Sequence, residues 1–364
     1  MLASPATRRL ARENGIELSA VTQPGAGRNG RLLPEDILAF VSSSASASAS
    51  ASASASPPSR PPAQHGLPIP LSPLRRAMFK AMTQSLGIPH FAYSETVDVT
   101  ALSRLRLELN KSVPLRYRAT LSPAEERVIE RQQQWGGLGR VPEARRFDKL
   151  TLMPLLLKAL SLAMEENPLF QCSLSTTGEG GEPQLVPRGQ HDISVALASP
   201  SAHGGLFTPV LNKVDSLSTF DVAARLTELQ HAAAATANSG GVPAFPKDAQ
   251  GRPTLTLSNI GATGGRGTHP VIPPTGQLAI GAMGRVRVEA GYRPEDEDRA
   301  RRVALGEEAL EGAGWFRLET EPRLRMDVSF CADHRVVEGV ELARLVETWK
   351  RLVERPDRLV GVAR

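Results

Sequence analysis

From residue 42 to residue 56 the chain is an almost unbroken alternation of serine and alanine, and Pro57, Pro58, Pro61 and Pro62 follow at once. Such a tract has no large apolar side chain to bury, so nothing offsets the entropy lost on fixing its backbone. It is expected to stay extended and to act as a linker. Folding must then happen separately on its two sides, giving a small module at 1–41, a linker at 42–66 and a large domain at 67–364. The larger piece is long enough for a sizeable core, and the smaller is marginal by itself.

Composition removes several classes of function. Forty-three basic against 38 acidic side chains give a net charge of +5, mild for 364 residues, and no basic tract carries interleaved aromatics. No nucleic-acid binding is expected. Cys172 and Cys331 lie far apart without paired ligand spacing, which argues against a metal site or a disulfide scaffold and suits a reducing compartment. The longest apolar run, 152–164, contains Pro154 and Lys158 and is too short for a bilayer, so it reads as a core helix and no membrane association is expected. The N-terminus shows no secretory apolar region. Residues 1–12 hold three arginines, a serine and no acid, as a mitochondrial presequence would, yet they also make a good first helix of a folded module.

In the module, Ser4 can cap a helix with Pro5 in its first position, and Asn14-Gly15 supplies the stop. Arg8 and Arg12, four apart, share a face of that helix. The loop Gly25-Ala26-Gly27-Arg28-Asn29-Gly30-Arg31 follows, and Pro34-Glu35-Asp36 opens a second helix expected to turn Ile37, Leu38 and Val41 inward. The loop matches Gly-x-Gly-x-x-Gly, but no strand precedes it, so a dinucleotide site lacks its context. Two readings of the charges stay open. Arg8, Arg12 and Arg31 offer a docking surface to an acidic partner, or they form a solvated basic face.

In the large domain, Ser72-Pro73 caps a helix on which Leu74, Ala77, Met78, Ala81 and Met82 form one apolar stripe. Alternating runs at 90–99, 193–197, 254–257 and 324–330 read as strands, and helical spacing recurs at 99–109, 152–164, 219–234 and 340–352. Strands interspersed with helices in this way predict an α/β sandwich of one mixed sheet with packed helices. Two charge-rich stretches, 111–148 and 291–317, look inserted and are expected to be surface loops with some helix.

Between the last strand and the last helix stands Asp333-His334-Arg335-Val336-Val337-Glu338-Gly339, which sets an imidazole at a strand-to-helix corner among charged groups. A lone histidine is more often a satisfied structural residue, but one at such a corner is also a candidate base.

This motif resembles the Asp-His-Arg-x-x-Asp-Gly signature of the acyltransferase component of 2-oxo acid dehydrogenase complexes, with Glu338 in place of the second Asp. Pro70 to Met78 (Pro-Leu-Ser-Pro-Leu-Arg-Arg-Ala-Met), Lys149-Leu150-Thr151-Leu152-Met153-Pro154 and Gly264-Gly265 are similar to that family as well. Ile88-Pro89-His90-Phe91-Ala92-Tyr93 with Ser258-Asn259-Ile260-Gly261 looks most like its branched-chain, dihydrolipoyl transacylase member, although acetyl- and succinyl-transferring relatives share much of the pattern.

The resemblance implies a coenzyme A-dependent acyltransferase sandwich preceded by a small helical peripheral subunit-binding domain. It implies transfer of a branched-chain acyl group between dihydrolipoamide and coenzyme A. In that reading His334 is the general base, Ser258 steadies the oxyanion and Glu338 helps fix the geometry of the corner. Coenzyme A would meet Arg106, Thr151, Gln230, Ser258, Asn259 and Gly284, while Ala198 stands where the family commonly places an Asp. Arg8, Arg12 and Arg31 would hold the 2-oxo acid decarboxylase and dihydrolipoamide dehydrogenase components. Trimers built into a 24-subunit core in the mitochondrial matrix are implied, with His334 and Ser258 of one site coming from neighbouring subunits. The sequence in hand shows no lipoyl domain with its exposed lysine before the module, so either the chain is a shortened form or lipoyl groups are expected in trans. The competing readings are a non-catalytic scaffold that docks partner dehydrogenases and a free-standing acetyltransferase acting on a small hydroxyl.

Overall fold

The structure, a computed structural model, describes residues 3–13, 25–27, 30–39, 68, 70–177, 181–198, 206–235, 244–307 and 320–361. The serine-alanine tract, Asn14-Gly15 and Val41 lie outside the described residues. Two compact units emerge, Met1–Pro70 and Leu71–Arg364.

In the first unit, helix α1 (Pro5–Glu13) begins as its sequence dictates, the Ser4 hydroxyl accepting the Thr7 N–H at 3.2 Å. Residues 34–39 form α2. The Asp36 carboxylate accepts the N–H of Leu33 at 2.8 Å and of Ala26 at 3.1 Å, which ties the glycine loop to that helix. A Cβ at Gly25 would lie 2.4 Å from the Arg31 backbone, so this glycine serves close chain approach. Ala11, Leu32 and Ile37 make the core. Leu38, expected to face inward with Ile37, is instead 53% exposed. Successive helical residues point about 100° apart, and so small a core takes one of the two.

The second unit is built on a seven-stranded sheet in the order β1-β11-β9-β8-β4-β7, with β10 also pairing β11. Its strands are β1 (His90–Asp98), β4 (Ile193–Val195), β7 (Val210–Leu211), β8 (Leu255–Asn259), β9 (Ala279–Met283), β10 (Arg287–Gly291) and β11 (Glu321–Asp333). The pairs β4–β8 and β8–β9 are parallel and the others antiparallel, so the sheet is mixed. Two two-stranded sheets, β2 (Cys172–Ser175) with β3 (Gln184–Pro187) and β5 (Leu197–Ala198) with β6 (Leu206–Phe207), lie beside it. The run 193–197, expected as one strand, is therefore split, the chain leaving the main sheet at Ala196.

Helix α6 (Leu152–Glu166) is buried from Pro154 to Met164 on every face, as its mostly apolar sequence requires, and the one cation in that stretch, Lys158, donates to the Val214 and Asp215 carbonyls at 2.9 and 2.7 Å. It packs on α4 (Thr100–Lys111), α7 (Thr219–Ala235) and α9 (Gly339–Glu354). The Trp349 indole of α9 donates to the Leu156 carbonyl at 3.1 Å and meets Phe330 of β11 edge-on at 5.7 Å. Its one polar atom is thus satisfied inside the core. The short α10 (Asp357–Gly361) closes the chain onto α6 and α9.

The stretch 111–148 is largely exposed and partly helical, but it also packs into the domain. It contains α5 (Pro123–Gln134), started by a Ser122/Glu125 capping box. Tyr117, Ile129, Val141 and Phe147 are buried. Tyr117 stacks on Phe147 at 6.0 Å and Phe220 at 5.9 Å, and its hydroxyl donates to Asp221 at 2.6 Å. Burial and that carboxylate push its phenol up to about 12, so it remains a donor. Apolar residues spaced irregularly among many charges hid this packing. In the other stretch, α8 (Pro294–Ala304) is helical and residues 308–317 lie outside the described ones. Finally, α3 (Pro73–Ser85) is capped by Ser72, but Met78 is 58% and Phe79 65% exposed, so its apolar side meets water in the isolated chain.

Candidate active site

Strand β11 is paired on both sides and delivers the corner at its end. Asp333 stands opposite His90 of β1, and its N–H donates to the Leu278 carbonyl at 2.9 Å. The next N–H, of His334, donates to the Pro89 carbonyl at 2.9 Å. The corner is thus pinned from both neighbouring segments before any side chain is considered. The Asp333 carboxylate is buried and engaged by Arg335, whose guanidinium reaches its two oxygens at 2.9 and 2.6 Å. Asp333 therefore holds Arg335 rather than the imidazole, and the bidentate pair stiffens the turn.

The His334 ring is exposed, with Nδ1 2.9 Å from the Val337 carbonyl oxygen. A carbonyl can only accept, so Nδ1 carries the hydrogen and the neutral ring presents a free lone pair at Nε2. The Phe91 ring lies 5.2 Å from the imidazole, and Gly339 makes room for it, since a Cβ there would come within 3.0 Å of Phe91 Cζ. Pro89, Phe91 and the Val337 carbonyl thus orient the imidazole. In the sequence, 88–93 stands out only as a stretch resembling the family, and its pairing with β11 is a finding of the structure.

Glu338 occupies the N-cap of α9, exposed, its N–H bonded to the Glu341 carboxylate at 2.8 Å. Among the described residues it neither hydrogen-bonds nor ion-pairs with His334. Asp333, His334 and Glu338 share one corner, but Glu338 acts on the helix start.

Ser258 is half-buried near the end of β8, and its hydroxyl bonds nothing among the described residues. By register Ser258 faces Ala282 of β9, which faces Ser329 of β11. His334 lies five residues further along β11 and two strand spacings away, so within one chain the two residues are about 20 Å apart at opposite ends of the sheet. Asn259 and Gly284 share the Ser258 end. Asn259 opposes Met283, and the Asn259 side-chain oxygen accepts the Gly261 N–H at 2.8 Å.

Arg106 on α4 and Thr151 at the N-cap of α6 are brought close by Asn110. This side chain donates to the Arg106 and Leu150 carbonyls at 2.9 and 3.0 Å and accepts the Leu150 N–H at 2.7 Å. The Arg106 Nε is buried without a partner, a group that an anion such as a phosphate would satisfy. Gln230 is exposed on α7 and no hydrogen bond among the described residues joins it to either group. Ala198 ends β5 in the open, with no carboxylate to offer. In the first unit Arg8, Arg12 and Arg31 are exposed, Arg8 Nε donating to the Ala3 carbonyl at 3.3 Å. Among the described residues no cluster of three metal-ligating side chains occurs, and no helix is long and apolar enough to cross a membrane.

The catalytic-domain model of the 2-oxoacid dehydrogenases acyltransferase family matches residues 64–361, and that of the e3 binding domain matches residues 1–38. The chain is 31% identical to the lipoamide acyltransferase component of the branched-chain alpha-keto acid dehydrogenase complex of Caenorhabditis elegans, over 99% of this chain and 67% of that protein. The Bos taurus protein of the same description is 30% identical over 98% of this chain and 63% of its own length. The chain thus spans between 63% and 67% of these two relatives. Among solved structures, a dihydrolipoamide acetyltransferase of Azotobacter vinelandii, studied for the roles of a serine, a histidine and an asparagine in its mechanism, superposes with a TM-score of 0.55. It is 23% identical, and the match covers 81% of this chain and 93% of that one, which establishes a shared fold.

Proposed function

Since the chain belongs to the 2-oxoacid dehydrogenase acyltransferase family, we propose that it moves a branched-chain acyl group between coenzyme A and dihydrolipoamide, at a site completed by two subunits. A thiol with its ordinary pKa near ~8.5 is mostly protonated at neutral pH. His334 Nε2 takes that proton, and the thiolate attacks the thioester carbonyl carbon. The carbonyl oxygen becomes the anion of a tetrahedral intermediate and accepts a hydrogen bond from Ser258. Collapse breaks the old carbon–sulfur bond, and the departing thiolate takes the proton back from His334. Base assistance of this kind contributes roughly a hundred- to ten-thousandfold, and one oxyanion donor about 3 kcal/mol. Glu338 sets the start of α9, and through it the Val337 carbonyl that orients the ring.

The observation that carries this reading is the register of the sheet, which sets His334 five residues along and two strands away from Ser258, about 20 Å at ordinary strand spacings. Neither residue can serve the other's carbonyl carbon within one chain, whereas a cyclic trimer brings unlike ends of neighbouring sheets together. Arg106, Thr151, Gln230, Asn259 and Gly284 are the contacts for coenzyme A, with the Arg106 guanidinium on a phosphate. The lipoyl group arrives from another domain or chain. Arg8, Arg12 and Arg31 dock the dihydrolipoamide dehydrogenase and decarboxylase components, the trimers assemble into a 24-subunit core, and the setting is the mitochondrial matrix. One other reading, a scaffold without turnover, has in its favour that Glu338 does not touch His334 and that Ala198 offers no polar contact.

A subunit-mixing assay tests both readings. His334→Ala and Ser258→Ala proteins should each retain about one per cent or less of wild-type activity in transferring isobutyryl from its coenzyme A ester to free dihydrolipoamide. Reassembled together in equal amounts they should recover about a quarter of wild-type activity, because one interface in four pairs an intact His with an intact Ser. Recovery of none would place both residues in one subunit's site, and an inactive wild-type assembly would leave the scaffold.

A further inference from the structure

A groove runs over the inserted stretch, and none of the residues proposed for catalysis or coenzyme A lines it. Helix α5 carries Val128, Arg131, Gln132 and Trp135 at i, i+3, i+4 and i+7, so these four share a face. The following turn, with Gly136 at φ +80° and the Gly137 N–H on the Gln132 carbonyl at 2.8 Å, brings Leu138 to the same side. Leu115 and Arg116 close the opposite wall, and the space between measures about 760 Å³, the size of a ligand cleft.

Two features of this groove are unfinished. Trp135 is 86%, Leu138 71% and Val128 45% exposed, although the insertion is already anchored on its other side by Tyr117, Ile129, Val141 and Phe147. Contiguous apolar surface of this kind marks an interaction site. The charges are equally one-sided, for the lining holds two cations and no acid. The Arg116 guanidinium lies 4.9 Å over the Tyr117 ring with its Nε buried and unpartnered, and Arg131 makes no ion pair among the described residues. Of the acids on the same helix, Glu125 is bonded to Arg118, and helical spacing puts Glu126 and Glu130 on other faces.

We propose that this groove docks an acidic segment of a partner protein bearing leucine or aromatic side chains. The apolar side chains lie on Trp135 and Leu138, and carboxylates meet Arg116 and Arg131. The two arginines, with no acid in the lining to balance them, set the sign of the partner, since a basic segment would meet uncompensated like charge there. A second copy of this chain, whose net charge is +5, is the poorer complement.

The probe is a short fluorescein-labelled peptide of glutamates with two leucines and a phenylalanine, titrated by anisotropy into the assembled full chain. Binding should weaken at least about tenfold for Trp135→Ala and for Arg116→Gln with Arg131→Gln, and should fall as salt is raised. Acyl transfer to free dihydrolipoamide should stay unchanged in both variants, which shows that they fold and assemble. Equal binding of a peptide with lysines in place of glutamates would overturn the proposal, as would undiminished binding by the variants. Dissociation of the assembly on Trp135→Ala, seen by sedimentation, would assign the groove to a second copy instead and overturn it too.

Discussion

At one end of the central sheet His334 is held by two carbonyls of its own chain, those of Pro89 and Val337, while at the other the Ser258 hydroxyl bonds nothing among the described residues. The first end is also braced by the buried Asp333–Arg335 pair and the Phe91 ring. The contrast follows from what each group must do. A base has to present one particular nitrogen in one direction, which requires its tautomer and ring plane to be fixed beforehand. A hydroxyl donor rotates freely about one bond and needs only to reach the developing anion, so it can wait for the substrate to order it.

The largest test of this contrast removes the prearranged end. His334→Ala should lower the turnover number by about a thousandfold, with the melting temperature unchanged because the ring is exposed. Turnover reduced less than about tenfold would mean that the thiol needs no base here. Ser258→Ala should cost less, about a hundredfold, in turnover rather than in the Michaelis constant, since the hydroxyl acts only on the anion. A rise in the Michaelis constant alone would make Ser258 a binding residue and remove the asymmetry between the two ends.

How far these ends could be read from the sequence differs in the same way. The strand-to-helix corner was legible because alternation in 324–330 and helical spacing in 340–352 bracket His334 without ambiguity. The hold of the Pro89 carbonyl on the His334 N–H was not, because cross-strand register is a tertiary property. Ser258 was merely a serine at the end of a short strand, and the resemblance to a family alone drew it out. Leu38 was misplaced because helical spacing gives a face and not the size of the core that receives it. The packing of 111–148 was hidden since Tyr117, Val141 and Phe147 lie in turns, where no period announces them. Helix α3 shows the converse. Its stripe was legible, yet among the described residues its first turns stay exposed, Met78 at 58%.

A second histidine sharpens the comparison from the structural side. His191 is 5% exposed, with Nδ1 2.8 Å from the Ser161 hydroxyl, and burial chiefly holds its pKa below the ordinary value despite the Asp215 carboxylate nearby. Glu165 and Asp192 favour the charged ring, and Lys158 opposes it. The folded protein therefore keeps this ring neutral, while the unfolded chain protonates it near pH ~6.5. Its contribution to stability is complete above that pH and is lost as the pH falls toward the depressed folded value, by up to about 1.4 kcal/mol per pH unit. Urea unfolding between neutral and mildly acidic pH should show this slope in the wild type and a shallower one in His191→Asn. The same slope in both would remove His191 from the acid sensitivity, leaving the carboxylates to explain it.

The smallest effect is expected at Glu338. If its carboxylate reached across a subunit boundary to set the base, shortening it by one methylene would misplace the group by more than an ångström and cost activity steeply. As the N-cap of α9 it has a different requirement, which Asp meets at least as well as Glu. Glu338→Asp should therefore change turnover by less than about threefold and leave stability within roughly half a kcal/mol. Glu338→Ala, which removes the cap, should lower stability by about 1 kcal/mol and reduce turnover only as far as the Val337 carbonyl loosens its hold on Nδ1. A tenfold loss of turnover in Glu338→Asp at unchanged stability would show that the corner is not self-sufficient, and that its geometry too is finished by the neighbouring subunit.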